Sequence, residues 1–191
     1  MLLQEGSTNG REKRYNLERR PRNLRNVLHR PIEVTTLSGH SFFWLKSSMT
    51  DIASYPDVLD ATLVGTYPAL AKAGGGYVWD EVLEYRVWCC PFKGAEDLED
   101  GSDYYYAFAS YAEALEFSSQ TAGADEPLAL ILQREFIDEP EPENYVHKKE
   151  ERITEWPVTF LSRPRRNDRT IPDFLSPEAP SNRLDILRGL A

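Results

Sequence analysis

Apolar and polar positions alternate most regularly across residues 82–137, where the pattern predicts strand, acidic turn, strand, capped helix, strand. Over residues 82–90 a period of two puts Leu83, Tyr85, Val87 and Cys89 on one face, with Glu84, Arg86, Trp88 and Cys90 on the other. Pro91 ends this strand, and the glycine-bounded acidic run 94–102 reads as a turn. Residues 103–109 form a second strand in which Tyr104, Tyr106 and Phe108 share a face and Tyr105 alone points the other way. Ser110-Tyr111-Ala112-Glu113 is a capping box, so a helix is expected over 111–121, with Ala114, Leu115 and Phe117 inward and Gly123 closing it. Residues 128–137 form the strongest strand, apolar on both faces in its first half, as in a central strand. The run 138–143 (DEPEPE) should end the sheet, because Pro140 and Pro142 have no N–H to donate. A last strand is expected over 153–161, and Pro157 argues for an edge position.

The flanks are less regular. Pro56 suits a first helical position, and Val58, Leu59, Leu63 and Tyr67 recur at helical spacing. Pro68 interrupts, a short second turn carries Ala69 to Ala73, and Gly74-Gly75-Gly76 closes it. The triple glycine reads as a helix cap rather than a phosphate cradle, since phosphate loops require strand, loop and helix in that order. Towards the C-terminus, Ile171-Pro172-Asp173-Phe174-Leu175 reads as an extended apolar plug. Ser181 is expected to cap a short helix that turns Leu184, Ile186 and Leu187 inward and stops at Gly189. The fold class is therefore α+β: one domain with a mixed or antiparallel sheet of four to six strands and a few packed helices. Phe108, Leu115, Leu130, Leu132 and Phe136 are expected in its core.

Charge divides the chain. Residues 1–50 carry nine Lys/Arg against four Asp/Glu, residues 51–161 seven against 23, and residues 162–191 six against four, within a net charge of −9. Eight of the basic residues lie between Arg11 and Arg30. That segment reads as a solvated arm able to meet nucleic acid, an anionic surface or the acidic middle, whereas the middle itself repels nucleic acid. Met49-Thr50-Asp51-Ile52 resembles the start of an ordinary bacterial domain, so residues 1–48 are expected to be a flexible, dispensable extension and 49–191 the domain with a basic C-terminal arm. With 41% apolar residues and no run long enough to span a bilayer, a soluble cytoplasmic protein is expected. Cys89 and Cys90, adjacent in the chain, read as reduced packing thiols.

Candidate chemistry is sparse. His29, His40 and His147 show no ligand spacing with each other or with the cysteines, so no metal is expected, and there is no nucleophile elbow or Walker loop. Two carboxylates lie close to aromatics: Glu135 in the strong strand, on the face of Ile131 and Ile137, and Glu155 beside Trp156. Either could act as an acid/base group with His147 as partner, or simply pair with an arginine such as Arg86, Arg134 or Arg152. The arginine pairing is the favoured reading.

The run Tyr105-Tyr106-Ala107-Phe108-Ala109-Ser110-Tyr111-Ala112-Glu113-Ala114, with residues 128–135 and Thr154-Glu155-Trp156, resembles a group of short bacterial proteins labelled GCN5-family acetyltransferase, over about residues 80–190. The resemblance implies an α+β fold that binds acetyl-CoA and acylates an amine. That superfamily holds the CoA pyrophosphate in an Arg/Gln-x-x-Gly-x-Gly/Ala loop between a central strand and a helix. The junction here is Phe108-Ala109-Ser110-Tyr111, without a glycine. No functional residue is carried over. Three readings stand: a non-catalytic interaction protein whose acidic domain meets a basic partner or its own basic arm, which is favoured; an acetyltransferase using acetyl-CoA; and another small transferase handling a nucleotide near Tyr105.

Overall fold

The computed structural model describes residues 55–69, 72–73 and 77–191. Its strands are β1 (Lys72–Ala73), β2 (Glu81–Cys89), β3 (Tyr104–Phe108), β4 (Leu128–Gln133), β5 (Phe136–Glu141), β6 (Asn144–Lys148) and β7 (Arg152–Pro157). The helices are α1 (Tyr111–Gln120), α2 (Thr170–Leu175) and α3 (Arg183–Leu187), with 3₁₀ turns at Ala61–Leu63, Pro91–Lys93 and Val158–Ser162. Strands β7, β4, β2 and β3 form an antiparallel sheet in that order, to which β1 adds a short parallel edge along β7. β5 and β6 make a separate hairpin. This is the α+β domain expected from the pattern.

Among the described residues four apolar clusters hold it, one of them joining Cys89, Ala95 and Tyr104 at the end of β2. Tyr85, Val87, Ala129, Ile131 and Trp156 pack beneath α1 through Ala114. Leu83, Leu130 and Leu132 pack on the opposite face with Tyr67 and Ile153. Phe136 and Ile137 of the hairpin pack with Val78, Ile171, Phe174 and Leu187, so the C-terminal helices belong to the domain. The capping box forms as read: Ser110 Oγ accepts from the Glu113 N–H at 3.3 Å, and the Glu113 carboxylate accepts from the Ser110 N–H at 3.2 Å.

Several local expectations change. Leu83 leaves the face of Tyr85, because the register slips between Val82 and Glu84. Val82 opposes Ile131 and Glu84 opposes Leu130, so Leu83 is the extra residue of a bulge and turns to the other side. The strand expected over 128–137 breaks after Gln133, where the Arg134 N–H bonds Asp80 Oδ2 at 2.7 Å instead of a neighbouring strand. The run 138–143 does not end the sheet structure. β5 continues through Pro140 to Glu141, with a register shift between Asp138 and Glu141 that excuses the proline from the ladder.

β7 stops at Pro157, and the next residues form a 3₁₀ turn; β1 covers its outer side only at Thr154 and Glu155, so it is next to the edge rather than at it. Leu115 is exposed, because Ala114 takes the inward position of α1 with Tyr111 and Phe117 beside it at helical spacing. The helix expected after Pro56 shrinks to Ala61–Leu63. The backbone on either side is spent on β2 instead: the Leu59 N–H bonds Val82 O at 2.7 Å and the Gly65 N–H bonds Glu84 Oε2 at 2.7 Å. Residues 72–73 are strand rather than helical turn, and the plug at 171–175 is helical within α2. The last helix is preceded by Asn182, not capped by Ser181, and Ile186 points outward. The expectations for residues 1–48 and for the triple glycine lie outside the described residues.

Candidate functional site

On the sheet face away from α1, alternation along β2 delivers Glu84, Arg86 and Trp88 to one patch, and β7 and β3 add Glu155 and Tyr105. Arg86 sits at the centre, with its side chain and that of Glu84 both 0% exposed. Its Nε donates to Glu84 Oε1 at 2.6 Å, its Nη1 to Glu155 Oε1 at 3.0 Å, and its Nη2 to Pro68 O at 2.8 Å. Nη1 also reaches Ala69 O at 3.3 Å, and the guanidinium lies 4.5 Å from the centre of the Tyr105 ring. The Trp88 ring lies 4.9 Å from that of Tyr105 at a tilt of 48°, and its Nε1 donates to Glu155 Oε1 at 3.2 Å. Burial opposes the arginine's charge, yet Glu84, Tyr105 and Glu155 raise its pKa overall.

Glu155 therefore pairs with Arg86, as the favoured reading of the sequence held, and its side chain is 17% exposed. The group fastens residues 65–69 across the sheet, since Glu84 accepts from the Gly65 N–H and the Tyr105 hydroxyl reaches Tyr67 O at 3.4 Å. Every polar atom of this arginine's fork faces an acceptor. Such a centre ties the segment 65–69 to the sheet.

Glu135 and His147 meet elsewhere. Glu135 lies in the break between β4 and β5 rather than inside a strand, which removes it from the face of Ile131. His147 lies on β6 opposite Ile137. His147 Nε2 and Glu135 Oε2 are 2.7 Å apart, with side chains 24% and 29% exposed. Arg166 donates from Nη1 to Glu135 Oε1 at 2.6 Å and from Nε to Asp80 Oδ1 at 2.8 Å. Arg165 pairs with Glu81 and donates to Asp80 O. The basic C-terminal stretch is thus strapped to the start of β2 and to the hairpin. Glu135 pairs with an arginine none of the sequence candidates named, and Glu155 and His147 are not brought together.

Sequence reasoning missed Glu84, Asp80 and Arg166. Glu84 had a signal, because a charged residue at every second position of a strand inside an apolar sheet demands an internal partner. Asp80 and Arg166 had none, being joined only by the fold. Burial raises the Cys89 thiol to about 11. Both cysteines are buried and reduced. Among the described residues, no three His, Cys, Asp or Glu side chains converge as metal ligands, and no helix is long and apolar enough to cross a membrane. The chain matches no protein-family model, no curated protein and no solved structure.

Proposed function

We propose that this protein is a non-catalytic interaction protein whose acidic domain recognises a basic polypeptide. One observation carries the reading: Glu155 and Glu135, the carboxylates best suited to catalysis, are held by buried or half-buried arginines that tie separate segments together. Acidic side chains elsewhere remain at the surface, at the hairpin tip through Glu139, Glu141 and Glu143 and in the turn after β2. The junction that would cradle a CoA pyrophosphate supports the same choice. Its helix N-terminus is already closed by Ser110 and Glu113, β3 before it is an edge strand, and a second anion there would meet the Glu113 carboxylate.

The test is biolayer interferometry of the full chain on an immobilised peptide of alternating Arg and Leu, at about 50 and 200 mM salt. Saturable binding that weakens with salt is the expected result. Binding that never saturates, or low-micromolar acetyl-CoA affinity in calorimetry, overturns the proposal.

A second reading rests on the 2.7 Å contact between His147 and Glu135. A carboxylate that orients a solvent-reached imidazole is the arrangement of a general base, and an acyl-transfer enzyme would use it to deprotonate an amine. Amine-dependent release of CoA from acetyl-CoA, lost in His147→Gln, is the result that selects it.

A further inference from the structure

Phe92 is 92% exposed although its neighbours Cys90 and Ala95 are buried. It crowns the 3₁₀ turn Pro91–Lys93, and that turn is firmly built. Gly94 closes it in the left-handed region (φ 101°) with its N–H on Pro91 O at 3.0 Å, and the Ala95 N–H returns to Cys90 O at 3.2 Å. The Cys90 N–H bonds Gly123 O at 2.9 Å, Lys93 pairs with Asp125, and the Tyr104 hydroxyl donates to Glu96 O at 2.9 Å. A large aromatic ring held outward on an ordered turn loses little conformational freedom when it is covered, which is the property of an interface anchor. Leu98 is also exposed, six residues on.

The chemistry around this ring says what covers it. Residues 94–103 carry Glu96, Asp97, Glu99, Asp100 and Asp103 and no Lys or Arg. Arg165 and Arg166 are paired with Glu81, Asp80 and Glu135 at the start of β2, whereas Phe92 follows its end, so those arginines are committed at the other end of the sheet. Residues 11–30, outside the described part, hold eight Lys/Arg against Glu12 and Glu18, interleaved with Tyr15, Leu17, Leu24, Val27 and Leu28. The intervening residues can span up to about 80 Å when extended, against a radius of gyration of roughly 14 Å for a domain of this size. Tethering also gives the segment an effective concentration on the order of millimolar.

We infer that residues 11–30 of the same chain dock on this turn, an apolar side chain against Phe92 and arginines against the acidic rim. The inference rests on the basic-partner reading and names its occupant within the chain, one that an external basic partner must displace.

The experiment places the photo-crosslinker benzoylphenylalanine at position 92 of the full chain, where the side chain is solvent-facing and its replacement leaves the core intact. After irradiation at low protein concentration, crosslinked peptides are identified by mass spectrometry. Crosslinks within one chain to residues 11–30 are expected, falling at least tenfold in about 0.5 M salt and in the Glu96→Gln/Asp100→Asn variant. Crosslinks only to other segments, crosslinks only between copies, or none at all overturn it. Any of these, combined with salt-sensitive binding of the Arg/Leu peptide, removes the internal occupant and leaves the partner reading standing.

Discussion

Replacing Arg86 with leucine isolates what the buried ion group contributes. The substitution keeps an apolar stem in the sheet but leaves Glu84, fully buried, with the Gly65 N–H at 2.7 Å as its remaining described partner. It also removes the donors that hold Pro68 O and Ala69 O and the cation over Tyr105. Breaking one side of a buried ion pair costs about 3–5 kcal/mol, because a charge is stranded away from water. With a urea dependence of about 2 kcal/mol per M, the unfolding midpoint should fall by roughly 2 M. Neutralising the stranded partner tests the cause. Glu84→Gln/Arg86→Leu should be more stable than the sum of the single losses implies, by at least about 1 kcal/mol. Equilibrium urea unfolding followed by tryptophan fluorescence measures all three variants. A loss below about 1 kcal/mol for Arg86→Leu, or simple additivity in the double variant, would refute the reasoning.

Three further outcomes are expected. Glu155→Gln should lower stability by about 1–3 kcal/mol, since it removes a charge-assisted acceptor shared by Arg86 and Trp88; unchanged urea stability with loss of an enzymatic activity would instead make it an acid/base group. Gly123→Ala should destabilise by about 2 kcal/mol or more, because its φ of 70° is left-handed and a Cβ would lie 2.1 Å from Ala95 N; a loss under about 0.5 kcal/mol counts against this close approach. The Cys89 thiol, raised by burial to about 11 from an ordinary 9.0, favours the folded state fully below pH 9 and loses that contribution as pH rises towards 11, so Cys89→Ala should lose about 2 kcal/mol less stability than wild type between pH 8 and 10.5. Equal alkaline losses in urea titrations of the two proteins would remove the thiol as the cause.

Local pattern was enough to establish the α+β class, β2, β3, α1 and its capping box, because alternation and capping are decided by residues within one turn or one strand. It was also enough to turn Tyr105 away from Tyr104 and Tyr106, and to expect an arginine partner for Glu155 among Arg86, Arg134 and Arg152, of which the fold selects Arg86. Tertiary structure decided the rest. The bulge at Leu83, the break after Gln133 and the shortened helix after Pro56 each occur where a distant group claims a backbone donor or shifts a register. Asp80 draws off the Arg134 N–H from across the chain, and Glu84 draws off that of Gly65. Helical spacing at Val58, Leu59 and Leu63 describes what the segment could do alone, whereas burying Glu84 and Arg86 requires that its backbone face the sheet. The union of Glu135, His147, Asp80 and Arg166 belongs to the same category, because ion pairs between separate segments leave no periodicity in any one of them.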